Sequence, residues 1–124
     1  YDQSRKWAMS IAEELKYIGT LCVEFFIDRN DNLYVNEIAP RVHNSGHWTE
    51  AACSTSQFEQ HILAISGHNI FAPKRHSDCI MYNLIGDDIN NLNDYHSDPN
   101  CSIHLYGKAD VREGRKMGHV TYQA

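Results

Sequence analysis

TLCVEFFIDRNDNLYVNEIAPRVHNSGHWT, residues 20–49, is the stretch whose reading decides the fold. Residues 20–28 and 33–38 are rich in β-branched and aromatic side chains. Arg29-Asn30-Asp31-Asn32 between them is a run of turn formers. The pattern predicts a β-hairpin followed by an irregular, polar loop containing histidine. A turn centred between Asn30 and Asp31 sets Glu24 opposite Glu37, and Phe26 opposite Val35. Two carboxylates facing each other across a ladder repel. A shared proton, a nearby Arg or Lys, or a divalent cation would relieve them. Paired carboxylates on a rigid hairpin suit Mg²⁺, a hard ion that takes oxygen ligands and usually keeps waters and substrate phosphates. The alternative is a slipped register that sends one Glu to solvent.

On the downstream side, Pro40 cannot donate to a ladder, so the second strand should end near Ala39. Residues 41–47 then form a loop in which Gly46 allows an unusual backbone conformation, and 48–53 a short helix. Upstream, Trp7, Ile11, Leu15 and Ile18 recur at helical spacing. They predict an amphipathic helix over 2–18, capped by Asp2 and closed by Gly19. Ser56-Gln57-Phe58-Glu59 fits a capping box for a second helix. Its apolar stripe is Phe58, Ile62 and Ile65, and Gly67 marks its stop. Residues 71–77 are a connector. Strands are expected at 79–85, 102–106 and 118–123. Residues 86–100 form a polar loop with one helical turn, and 107–117 a charged link.

The 124 residues suffice for one small domain or two pieces sharing a core. A net charge of −5 speaks against nucleic-acid partners. Cys22, Cys53, Cys79 and Cys101 are widely spaced with no CxxC pair, as expected of free thiols in a reducing cytoplasm. No apolar run approaches the ~18 residues of a membrane span. The chain opens on Tyr1-Asp2 without an initiating Met, which reads as an excised piece of a larger protein.

The stretches VEFF (23–26), VNEIAPRVHNSGHWTEAACSTSQFEQH (35–61) and YGKADVREGRKMGHV (106–120) resemble the 5-(carboxyamino)imidazole ribonucleotide synthase family. These are ATP-grasp enzymes of purine biosynthesis. The resemblance extends over most of 19–120 and is weakest between 69 and 102. It implies an α+β fold: residues 1–72 as the C-terminal part of an ATP-grasp domain, and 73–124 as a small β-rich C-terminal domain. It implies a ligase that uses ATP and bicarbonate to carboxylate aminoimidazole ribonucleotide through carboxyphosphate, cytoplasmic and homodimeric at full length.

By the same resemblance, Glu24 and Glu37 hold Mg²⁺ on the ATP phosphates, and Asn36 with Glu37 contacts the nucleotide. Arg41, His43 and Asn44 belong to the substrate site; Arg41 and His43 are the catalytic candidates, His43 being the preferred base. Lys108 and Arg115 take the ribonucleotide 5′-phosphate, with Arg112 and Lys116 as weaker candidates. Many ATP-grasp relatives carry Asn two residues after the second acid. Here that position is Ala39, so water or another group would complete the metal shell. A glycine-rich phosphate loop and a lysine-bearing adenine grip have no counterpart in these residues. The 124 residues alone are therefore expected to be inactive.

Two readings compete. A formate-dependent glycinamide ribonucleotide transformylase shares the acid-then-Pro-Arg-x-His pattern, although the Asn-Ser-Gly-His run and the 114–119 block favour the carboxyamino synthase. A small zinc module could use the H-x-x-x-H of His43 and His47. Its Asn-Ser-Gly spacer is a poor helix, and no cysteine is close in sequence. On composition alone, the cluster of Lys108, Arg112, Arg115 and Lys116 is equally a solvated charged loop.

Overall fold

The computed structural model describes residues 2–124. In order, these form α1 (Asp2–Glu14), β1 (Cys22–Ile27), β2 (Leu33–Ala39), a 3-10 turn (Asn44–Gly46), α2 (Thr49–Ala52) and α3 (Gln57–Ile65). Then come β3 (Cys79–Ile85), a second 3-10 turn (Gly86–Asn91), α4 (Leu92–His96), β4 (Cys101–Leu105) and β5 (Lys116–Gln123). The class is α+β, with a two-stranded sheet β1-β2 and a three-stranded sheet β3-β5-β4, both antiparallel. The chain divides into two compact units. One runs to His47 and includes Thr55–Ala72; the other comprises Trp48–Ser54 and Pro73–Ala124.

In the first unit, α1 lies on the hairpin through Trp7 and Phe25, whose rings are 6.2 Å apart. The helix stops at Glu14, short of the expected Ile18. Lys16 takes a left-handed φ of 48°. The Tyr17 N–H donates to Ala12 O and the Lys16 N–H to Glu13 O, each at 3.0 Å. This closure usually falls to glycine; here lysine carries it and Gly19 does something else. At Gly19 (φ 130°) a Cβ would stand 2.8 Å from His61 Nδ1. The missing side chain lets the Thr20 N–H reach that nitrogen at 3.0 Å. Helix α3 follows its punctuation. Ser56 Oγ accepts from the Glu59 N–H at 3.2 Å, and Gly67 (φ 71°) ends it, with the His68 N–H donating to Leu63 O at 2.9 Å.

In the second unit, β5 is the central strand because Met117, Val120 and Thr121 are its buried positions, packed with Leu84 and Ala52. His119, also buried, stacks on His104 at 4.8 Å, and its Nδ1 lies 2.9 Å from Tyr106 Oη. A Cβ at Gly118 would collide with the carbonyl oxygen of His104; glycine is what lets β4 and β5 approach here. The segment expected as a loop after β3 carries more helix than one turn. Asp88 Oδ2 accepts the Ile85 N–H at 2.9 Å and opens it. The Trp48–Ser54 segment is tied to this unit by backbone bonds: the Ser54 N–H to Lys74 O at 2.8 Å and the His76 N–H to Ala52 O at 2.9 Å. No helix among the described residues is long and apolar enough to cross a membrane.

Candidate functional site

The hairpin builds the site. Cys22, Val23 and Glu24 pair with Ala39, Ile38 and Glu37; the register then slips, and Phe25, Phe26 and Ile27 pair with Val35, Tyr34 and Leu33. The expected Glu24–Glu37 pair is present, whereas Phe26 faces Tyr34 instead of Val35. The cause is the turn. Asp28 and Asn32 close it, with the Asp28 N–H donating to Asn32 O at 3.0 Å. The Asp28 carboxylate collects the N–H groups of Asn30 at 2.8 Å and Asn32 at 2.9 Å, and the Asn32 side-chain amide at 2.9 Å. Asp31 adopts the left-handed φ of 62°. Led by the Asn32 amide, these donors hold the Asp28 carboxyl below its ordinary pKa. A turn centred on Asn30 and Asp31 together would balance the strands; one closed by Asp28 and Asn32 leaves β2 a surplus residue, Asn36, absorbed as a β-bulge.

The bulge has a chemical consequence. Directly paired residues of an antiparallel ladder share a face, so both carboxylates project together. The Asn36 side chain swings to the same group, its Nδ2 donating to Glu24 Oε2 at 3.3 Å. Glu24 and Glu37 side chains are 38% and 50% exposed, open to a ligand. Two nitrogen-bearing side chains edge the pair: Arg41 Nη2 lies 3.9 Å from Glu37 Oε1, and His43 Nε2 lies 3.5 Å from Glu24 Oε1. Ala39 is buried at the end of β2 and offers no ligand atom. The donor set is oxygen-rich and partly solvated, the kind that fits a hard divalent ion retaining water.

Gln57 holds the loop that carries His43, and the sequence did not single it out beyond its place in the capping run. Its buried amide accepts from the His43 N–H at 2.9 Å and donates to His43 O at 2.7 Å. It also lies 2.6 Å from His47 Nδ1. Gly46, expected to allow an unusual backbone conformation, lies in the 3-10 turn and is not among the glycines with positive φ. It is required because a Cβ there would stand 2.7 Å from Gln57 Oε1. Asn44 opens the 3-10 turn, with the His47 N–H donating to its carbonyl at 3.2 Å. His43 and His47 diverge in role: His47 stacks on Phe58 at 5.2 Å, while His43 turns to Glu24.

In the second unit, Lys108 Nζ donates to Lys116 O at 2.6 Å and lies over the Tyr106 ring at 5.5 Å. Arg115 Nη1 donates to Asp110 O at 3.0 Å. Arg112 pairs with Asp110 Oδ2 at 2.9 Å. Among the described residues Lys108 and Arg115 thus have backbone partners and no carboxylate, which leaves their charge uncompensated. An open groove of about 810 Å³ beside α1, lined by Trp7, Ile27, Leu33 and Tyr34 among others, contains none of the candidate residues.

Comparison with known proteins agrees with the α+β fold. Residues 2–58 match the ATP-grasp domain, and residues 79–124 match the phosphoribosylaminoimidazole carboxylase C-terminal domain. The chain is 52% identical over 120 residues to the N5-carboxyaminoimidazole ribonucleotide synthase of Brucella melitensis, covering 97% of this chain and 33% of that protein. The chain belongs to the N5-carboxyaminoimidazole ribonucleotide synthase family. A Staphylococcus haemolyticus synthase is 46% identical over 123 residues, 96% of this chain and 32% of that protein. Among solved structures, the Staphylococcus aureus N5-carboxyaminoimidazole synthetase complexed with ADP superposes with a TM-score of 0.89 at 42% identity, over 99% of this chain and 34% of that one. The Aspergillus clavatus synthase, in complex with ADP and 5-aminoimidazole ribonucleotide, gives a TM-score of 0.76 at 42% identity, over 86% of this chain and 30% of that one. The chain spans about a third of the length of the curated synthases it matches.

Proposed function

We propose that these residues serve a cytoplasmic, homodimeric ATP-dependent carbon–nitrogen ligase that carboxylates 5-aminoimidazole ribonucleotide with bicarbonate. The observation that carries the reading is the Glu24–Glu37 pair on one hairpin face, joined by the bulged Asn36. Residues 1–72 supply the ATP-grasp portion and 73–124 the β-rich C-terminal domain. Glu24 and Glu37 would hold Mg²⁺, with Asn36 and Glu37 facing the nucleotide. Bound there with ATP, the ion would neutralise charge on the transferred phosphoryl group.

The protein's own part is positioning. Asn36 orients the Glu24 carboxylate by donating to one oxygen, and Arg41, just past the end of β2, lies beside Glu37. Bicarbonate attacks the γ-phosphoryl group of ATP, giving carboxyphosphate and ADP. The substrate amine then takes the carboxyl group, or the CO₂ derived from it, and phosphate leaves. Arg41 and Asn44 are suited to orient the anionic reactants, and His43 to accept the amine proton at a ring nitrogen. Lys108 and Arg115, without carboxylate partners, are suited to the 5′-phosphate.

The test uses a full-length synthase carrying this segment. Glu37→Gln should remove most ATP turnover while leaving the fold intact. Lys108→Ala and Arg115→Ala should weaken aminoimidazole ribonucleotide much more than ATP. Near-normal turnover in the first variant, or equal weakening of both ligands in the others, contradicts the assignment. The 124 residues alone should bind ATP only at ~millimolar concentration, about −4 kcal/mol, and release no substrate-dependent phosphate.

A further inference from the structure

Cys22 and Glu24 are two apart on β1, so their side chains leave the strand on the same face. The loop after β2 returns His43 to that face. One donor atom from each of Cys22, Glu24 and His43 lies within 4.8 Å of the other two. His43 Nε2 and Glu24 Oε1 are already 3.5 Å apart. That is about the separation of two ligands each ~2.0–2.2 Å from one tetrahedral ion. Ser45 buttresses the group: its Oγ lies 2.9 Å from His43 Nδ1 and 3.8 Å from Cys22 Sγ. The Ser45 N–H also approaches Nδ1, at 3.4 Å; a metal at Nε2 requires the other tautomer, in which Nδ1–H donates to the Ser45 hydroxyl and that longer contact is given up.

We propose that Cys22, Glu24 and His43 form a three-ligand site for a thiophilic divalent cation of the Zn²⁺ class, leaving a fourth position for water. One thiolate, one imidazole and one carboxylate are the donor types zinc accepts, whereas Mg²⁺ does not favour sulfur. On binding, the Cys22 thiol gives its proton to solvent. His47 is not part of the site, and neither is Glu37. The site therefore stands apart from the Mg²⁺ reading except that both use Glu24. If that reading holds, Zn²⁺ displaces Mg²⁺ from Glu24 and inhibits.

Co²⁺ is the probe, because a thiolate ligand gives it a near-ultraviolet charge-transfer band. The 124-residue chain should bind one Co²⁺ with that band, and excess Zn²⁺ should abolish it. Cys22→Ser should lose the band and weaken Zn²⁺ at least about tenfold, while Glu37→Gln keeps both. In the unaltered chain, Zn²⁺ should protect Cys22 from alkylation, read by peptide mass spectrometry, more than it protects Cys53, Cys79 or Cys101. Absence of the band overturns the proposal. So does a band that survives in Cys22→Ser, or Zn²⁺ protection centred on another cysteine. Co²⁺ held instead by Glu50, His104 and His119, a second cluster of donors, would show no thiolate band and would count against it. If Glu37→Gln leaves Mn²⁺ binding intact, the Mg²⁺ reading fails and this one stands.

Discussion

Replacing Gln57 with Ala should loosen the loop that presents His43. Gln57 is 9% exposed, and its side-chain amide meets the His43 N–H at 2.9 Å, His43 O at 2.7 Å and His47 Nδ1 at 2.6 Å. A hydrogen bond contributes about 1 kcal/mol net, and leaving a buried partner unsatisfied costs more. Alanine deletes these contacts and strands both backbone groups of His43. The expected loss is about 2–4 kcal/mol, towards the lower end if water enters the space. Urea denaturation in a Trp48→Phe background, where Trp7 reports on the first unit, should show it. At a slope of about 2 kcal/mol/M, the middle of the usual range, the midpoint should fall by roughly 1–2 M. Gln57→Glu should be no better, because a carboxylate can accept from the His43 N–H but cannot donate to its carbonyl. A midpoint within about 0.2 M of the parent for Gln57→Ala would refute the claim that this amide holds the loop.

The remaining predictions concern the hairpin turn and the second sheet. Asp28 titrates below its ordinary value because of the Asn32 amide and the backbone donors around it. Its contribution to stability is therefore present above that ordinary value and lost as pH falls through the lower folded value. The stability gap between the parent and Asp28→Asn should shrink in acid, as chemical denaturation across pH would show; a gap that widens there contradicts the linkage. Gly118→Ala should destabilise the three-stranded sheet by about 1–3 kcal/mol through overpacking, since its Cβ meets the His104 carbonyl. Hydrogen exchange in β4 and β5 should accelerate while β1 and β2 stay unchanged. Unaltered exchange in β4 and β5 would mean the strands can part at no cost.

Local chemistry made much of the fold legible. Strand β3 ends where the apolar run Cys79–Ile85 ends, and α3 starts and stops at its Ser cap and Gly67. What failed to show was set by competition between neighbours or by contacts far apart in sequence. Lys16 took the left-handed position three residues before the glycine better suited to it. The bulge at Asn36 depends on which residues close the turn, and a run of four turn formers allows more than one closure. The Glu24–Glu37 pair was readable because those strand ends keep the simple register. Gln57 and Cys22 were not: each comes near His43 across a gap that only the folded chain closes.

The central claim is that Glu24 and Glu37 act jointly on a divalent cation. Paramagnetic Mn²⁺, standing in for Mg²⁺, can be titrated into the isotope-labelled 124-residue chain and its effect read as loss of individual NMR signals. Weak binding suffices, because broadening is local to the ion. The account predicts that Asn36, Glu37 and Glu24 bleach first, that Glu37→Gln abolishes the effect there, and that Cys22→Ser leaves it unchanged. Bleaching centred on the Asp87–Asp88 turn or on Glu50, or bleaching at Glu24 that persists undiminished in Glu37→Gln, would contradict it.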